Sequence, residues 1–271
     1  MKAPKYLAAI AVLSVQASVH AQTAPVLQPI KPWVVHFDDT ECYAERTYGT
    51  SADPVILGFR PSPSGNSYEL LLAHKRPAPK FAQQLEGSVD FGGGPTKAWL
   101  LRYATPGDEP YRVDKFRIDA RAMAQASTAA TVGLHVAKGP AERFALLSMP
   151  GVLATLSKCN EDLRRYWNMT EVGEKSIATP ARGDVRRVFT DKDYPDEAST
   201  EEGEAQFLLF IDEKGAIAAC HVLKPSGIPA MDGMGCQVIR QRARFKPAMD
   251  AQGKSMRSSV VTPPVIWRLY G

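Results

Sequence analysis

The sequence predicts an α+β chain: a β-rich N-terminal body closed by a helix, linked to a small α+β unit. Three observations predict it. Short apolar or alternating runs, each bounded by turn formers, fill the stretch from Trp33 to Asp119. Apolar residues then recur at three- and four-residue steps between Ser148 and Trp167, the mark of one buried helix face. The last stretch reads strand, tight turn, strand, helix, strand over about 75 residues.

The chain opens MKAPKYLAAIAVLSVQASVHAQT. Lys2 and Lys5 precede a mostly apolar run from Tyr6 to Val19, and Val19-His20-Ala21 is a small-x-Ala site. That layout predicts a secretory signal over residues 1–21 and a periplasmic protein. The run is well short of the ~20 residues needed to span a bilayer. Losing two lysines and no acids takes the formal charge from +4 to +2, too small to argue for nucleic acid as a partner.

Residues 30–167 form the expected β-rich domain, whose role the sequence leaves open. Its runs are WVVHF, CYAERTY, PVILGFR, YELLLAH, GSVDF, KAWLLRY and YRVDKFRID, separated by TSADP, PSPSGN, GGGP and TPGDEP. The spacing suggests an antiparallel sheet or a barrel-like body. RAMAQASTAA reads as a short helix and TVGLHV as a strand. In SMPGVLATLSKCNEDLRRYW, Ser148 is a candidate N-cap and Pro150 fits the first turn. Val152, Leu153, Leu156, Cys159, Leu163 and Tyr166 share one face of that helix. Residues 168–191 are polar, with Gly and Pro, and read as a mobile linker with one short ordered piece near Val185–Phe189.

Residues 192–271 form the small unit. AQFLLFI is a strand, DEKG a tight connection in which Gly215 supplies positive φ, and AIAACHVL the return strand. PSG leads out, and Ile228 to about Ala243 forms a helix with Met231, Met234, Val238 and Ile239 inward. FKPA stops it. SSVVTPPVIWRL is the final strand, and Pro263 and Pro264 mark it as an edge or a bulge.

Export would place Cys42, Cys159, Cys220 and Cys236 in an oxidising compartment, where an even count favours disulfides. Four cysteines allow three pairings. Placement favours Cys42 with Cys159, since Cys159 lies on the helix face turned toward the body and Cys42 on an early strand of that body. The parity of Ile217 against Cys220 and Val222 suggests a bulge that turns Cys220 toward the helix, which favours a Cys220–Cys236 disulfide over a free buried thiol pair. Zinc would need close pairs such as C-x-x-C, which are missing from the sequence.

No constellation points to catalysis, and neither an enzyme, a cofactor nor a metal is expected. Asp38-Asp39 and Glu201-Glu202-Gly203-Glu204 read as solvated turns. FGGGPTK lacks the spacing of a phosphate loop. His36, His74, His135 and His221 are scattered over strands and read as structural. Arg240, Arg242, Arg244 and Lys246 complement a helix C-terminus, or else face an acidic partner or the cell wall.

Residues 193–269 carry a series of short signals in order: Tyr194-Pro195, Gly203, Ile211-Asp212 with Gly215, Pro225-Ser226-Gly227, Met231-Asp232, and Phe245 with Pro247 and Ala248. Together they resemble the TonB C-terminal domain. The resemblance implies a protein-interaction module that captures an extended peptide by strand addition. The peptide would come from an outer-membrane TonB-dependent receptor or another periplasmic protein. The pairing edge would be the last strand, through Ser258, Val260, Thr262, Val265 and Trp267. An energy-transducing member of that family is expected to have an inner-membrane anchor and a Pro-rich spacer; here a cleavable signal and a β-rich domain are expected instead. Pro225 replaces a serine, and Gly233 and Gly235 each weaken the helix by ~1 kcal/mol relative to Ala. Two other roles compete: a cell-wall-associated structural protein binding peptidoglycan, and an N-terminal enzyme or inhibitor tethered by the small unit.

Overall fold

The computed structural model describes residues 24–269, apart from 81, 106, 108, 109 and 138–140. The expected signal peptide lies outside the described residues. Among them, no helix is long and apolar enough to cross a membrane.

The fold is mixed α+β, built on a large curled sheet. Its strands are β1 (Val26–Leu27), β2 (Val34–Phe37), β3 (Cys42–Gly49), β4 (Pro54–Pro61), β5 (Ser67–His74), β6 (Gln83–Asp90), β7 (Thr96–Ala104), β8 (Arg112–Asp119), β9 (Thr131–Val136) and β10 (Glu142–Ala145). The order across the sheet is β1-β10-β9-β6-β7-β8-β5-β4-β3-β2, antiparallel except where β1 runs parallel to β10. The stretch from β1 to β2 joins the two ends. Pro29 bridges Tyr48, Ile30 N–H donates to the Thr47 carbonyl at 2.9 Å, and Tyr48 Oη donates to Ala145 O at 2.9 Å. Curling lets alternate side chains converge inside, and Leu57, Phe59, Leu70, Leu72, Leu100, Phe116 and Phe144 are buried there.

Helix α1 (Ala120–Ala124) is capped by Asp119, whose carboxylate accepts from Ala122 N–H at 2.7 Å. Helix α2 (Met149–Tyr166) buries Met149, Val152, Leu156, Cys159 and Leu163 as its period predicts. Ser148 does not cap it through its hydroxyl. It takes a left-handed φ of 66°, and its side chain makes no capping bond.

The stretch read as a mobile linker is laid against the rest of the chain. Helix α3 (Glu171–Ser176) is capped by Thr170, Thr179 bridges Met249, Arg182 bridges Lys246, and Val185 is buried. Backbone pairing, which leaves no compositional trace, holds this polar segment down.

The small unit contains β11 (Gly203–Ile211), β12 (Ile217–Lys224), α4 (Pro229–Arg242), the hairpin β13 (Ala248–Met249) and β14 (Ser255–Met256), β15 (Ser258–Val261) and β16 (Val265–Trp267). The expected single last strand is two. Both halves pair with β11, and Thr262-Pro263-Pro264 separates them because proline has no N–H for the ladder. Thr262 bridges the gap: its N–H donates to Phe207 O at 2.9 Å, and its hydroxyl accepts from Phe207 N–H at 3.1 Å.

Strand β11 is covered on both faces. Phe207, Leu209 and Ile211 join the core under α4, whereas Leu208 and Phe210 join the core of the large sheet. Phe210 stacks on Trp167 at 4.7 Å between centroids, with 15° between the planes. That double burial is why FLLFI is uniformly apolar rather than alternating.

Candidate functional site

The small sheet has two edges, and they differ. Along the outer side of β12, Arg117 of β8 reaches across. Its Nη1 donates to Val222 O at 2.8 Å and its Nη2 to Leu223 O at 3.1 Å. These carbonyls are the acceptors an added strand would need, so the large sheet closes this edge. The opposite edge consists of β15 and β16, and among the described residues no strand pairs with their outer side.

The direction of the open edge follows from Thr262. Its N–H points inward to Phe207 O, so alternation turns the N–H groups of Ser259 and Val261 outward. Side chains divide the same way. Of the residues expected to meet a partner, Ser258, Thr262, Val265 and Trp267 are buried and Val260 is partly buried. Those five face the protein, leaving their strands to offer backbone. Val261 and Ile266 project instead, each 52% exposed. A hollow of about 360 Å³ lies beside β16, lined by Arg186, Phe189, Tyr194, Ile266, Trp267 and Arg268 among others. Phe189 and Tyr194 meet the Trp267 ring edge-on at 5.5 and 5.8 Å, and the Trp267 Nε1–H is buried without an acceptor.

Residues 190–269 match the family model of the Gram-negative bacterial TonB protein C-terminal. This segment is similar to the TonB C-terminal domain. No curated protein and no solved structure matches the chain.

In this TonB C-terminal-like segment the motif residues act as braces. Tyr194 donates to the carbonyl of Glu201, and Pro195 accepts from Ala198 N–H at 2.9 Å to close a short turn. Gly203 packs so tightly that a Cβ would come within 3.0 Å of Met231 Sδ. The Asp212 carboxylate accepts from Lys214 and Ala216 N–H, each at 2.8 Å. Gly215, at φ +83°, lies where a Cβ would be 2.0 Å from Phe245 O and 3.4 Å from Pro247 Cδ. The Ser226 hydroxyl donates to Ile228 O, and Asp232 accepts from Ser226 N–H at 2.8 Å. Burial pushes the Asp232 carboxyl above its ordinary range. Gly227, at φ +95°, rests against the Trp99 ring of the large sheet.

Both cysteine pairings are as read from placement. Cys42 joins Cys159 with Cα atoms 6.0 Å apart, and Cys220 joins Cys236 at 5.6 Å. The register shift at Phe210/Ile211 leaves Ala218 unpaired, which is the bulge that turns Cys220 toward α4.

Other candidates are absorbed locally. Arg242 forms a two-point ion pair with Asp193 at 2.6 and 2.8 Å, and Arg244 donates to the carbonyls of Gln241 and Ala243 at the helix end. Asp38 accepts from Thr40 N–H and Glu202 from Leu269 N–H. His36 stacks on Tyr43, and His74 is fully buried. Among the described residues no cluster could hold a metal ion. The residue that sequence reasoning missed is Arg117. Its parity with Lys115 marks an outward face of β8, but nothing local says what covers that face.

Proposed function

We propose that this chain is a periplasmic TonB-like interaction protein whose β15–β16 edge captures an extended segment of an outer-membrane TonB-dependent receptor by strand addition. One observation carries the reading: within a TonB C-terminal-like segment, one sheet edge is closed by Arg117 and the other is left unpaired among the described residues. Main-chain hydrogen bonds would supply affinity, and Val261 and Ile266 would supply apolar contact. The role is binding, without catalysis. A cell-wall patch built on the basic run is less well supported, because Arg242 and Arg244 are committed to Asp193 and to the helix end.

Deleting the last strand would be a poor test, since it removes buried Val265 and Trp267. Val261→Pro is the sharper change. It removes an outward N–H while the inward N–H groups of β15 stay in place. A photo-crosslinking residue at Ile266 in cells, read by mass spectrometry, should recover a TonB-dependent receptor, and V261P should abolish the adduct at unchanged melting temperature. An undiminished adduct in folded V261P would refute strand addition at this edge. Recovery of peptidoglycan fragments in place of a receptor would refute the choice of partner.

A further inference from the structure

Where the small unit meets the large sheet, a polar cavity of about 340 Å³ opens. The large sheet lines it with Glu41, Arg60, Glu69, Lys115 and Arg117, and the small unit with His221 and Arg240. The carboxylates are spoken for. Arg60 binds Glu41 at 2.6 Å and also Glu69, and Lys115 lies 3.3 Å from the second Glu69 oxygen. Burial alone would raise the Glu69 carboxyl, but Lys115 and Arg60 overcome this and hold it well below its usual range.

The cations outnumber the acids, four to two. Arg117 spends two donors on the Val222 and Leu223 carbonyls, and Glu69 and Asp232 act on it through space without hydrogen-bonding to it among the described residues. Burial pushes its guanidinium down, as expected of a cation short of compensation. Asp232, in the adjoining hollow, is engaged by Ser226. Among the described residues the Arg240 side chain makes no ion pair or hydrogen bond, and it stands exposed at the rim. His221 adds no charge: burial first, and Arg60 second, lower its pKa to about 4, and its Nε2 is buried without a partner. Inside the cavity three cations face two acids, and the exposed Arg240 adds a further positive charge at its mouth, a field that favours an anion there.

We infer that this seam is a binding site for a small doubly charged oxyanion, a phosphomonoester or a dicarboxylate, held between Lys115, Arg117 and Arg240. The volume lies at the small end of ordinary ligand pockets. Planar guanidinium forks match phosphate and carboxylate oxygens. Both units contribute cations, so an occupant clamps one to the other. The inference is independent of strand addition, which uses the far edge of the sheet.

The test is calorimetric titration of the full chain with inorganic phosphate and with succinate, with acetate at matched ionic strength as a singly charged control. The melting temperature is followed alongside. Phosphate or succinate should bind and raise the melting temperature, and acetate should not. The tighter of the two identifies the ligand class. Arg240→Gln removes a side chain with no protein partner, and should weaken binding about tenfold without lowering the unliganded melting temperature. Lys115→Gln should weaken it similarly, and Arg187→Gln, on a surface side chain outside the cavity lining, should not. Absence of heat and of any melting shift with both dianions would overturn the inference. So would equal affinity in R240Q, K115Q and R187Q.

Discussion

Replacing Trp167 by alanine tests the claim that the two halves share one core. The indole is 2% exposed, lies flat on Phe210 at 4.7 Å, and donates from Nε1 to the Asp39 carbonyl. It is therefore a point where the residue that ends α2 of the large body touches β11 of the small sheet. Truncating a buried Trp to Ala costs roughly 3–5 kcal/mol in transfer and cavity terms. For a chain of this length each kcal/mol moves the melting temperature by about 2–4 °C, so a fall on the order of 10 °C is expected. Scanning calorimetry of the wild type should show one transition, because the apolar cluster runs without a break from the curled sheet into Leu208, Phe210 and Ala219. A double-mutant cycle between Trp167→Leu and Phe210→Leu should give a coupling of about 0.5–1.5 kcal/mol, the value of a stacked aromatic pair beyond its area. Two wild-type transitions, with Trp167→Leu moving only one and Phe210→Leu only the other, would refute the shared core.

Reduction of Cys220–Cys236, or Cys236→Ser, should cost about 3 kcal/mol in the chain-entropy model and loss of Cys42–Cys159 nearly 5 kcal/mol, given separations of 16 and 117 residues; denaturant titration with and without reductant measures both. The Glu69 carboxyl is depressed on folding, so its stabilisation is full at neutral pH and is lost as pH falls below its ordinary value of ~4.3 toward its folded one; Glu69→Gln should flatten that part of the curve of melting temperature against pH. Gly215→Ala should destabilise by about 3 kcal/mol or more, since it combines a left-handed φ with a 2.0 Å approach to Phe245 O; an unchanged unfolding midpoint would contradict the turn geometry.

Much of the chain's local structure was legible from its residues. Strand runs, the period of α2, the Asp212–Gly215 turn and the bulge before Cys220 are each written within a few neighbouring positions. Pro263 and Pro264 likewise announced an interruption, because the missing N–H is a property of the residue itself. Ser148 marked the start of α2 but not how it is capped, since backbone conformation there outweighs hydroxyl chemistry.

Contacts between distant positions were decided by the tertiary structure alone. Strand order places β6 beside β9 and β5 beside β8, which alternation along a strand cannot encode. The docking of residues 171–193 depends on backbone bonds to positions some seventy residues later. Arg117 closes one edge of the small sheet from 105 residues away, and that closure leaves β15–β16 as the open edge. The sequence determines what each segment can form, because propensity, period and turn chemistry act over a few residues. Which face is covered, which edge stays open and which charges lack a partner depend on groups brought together only when the whole chain folds.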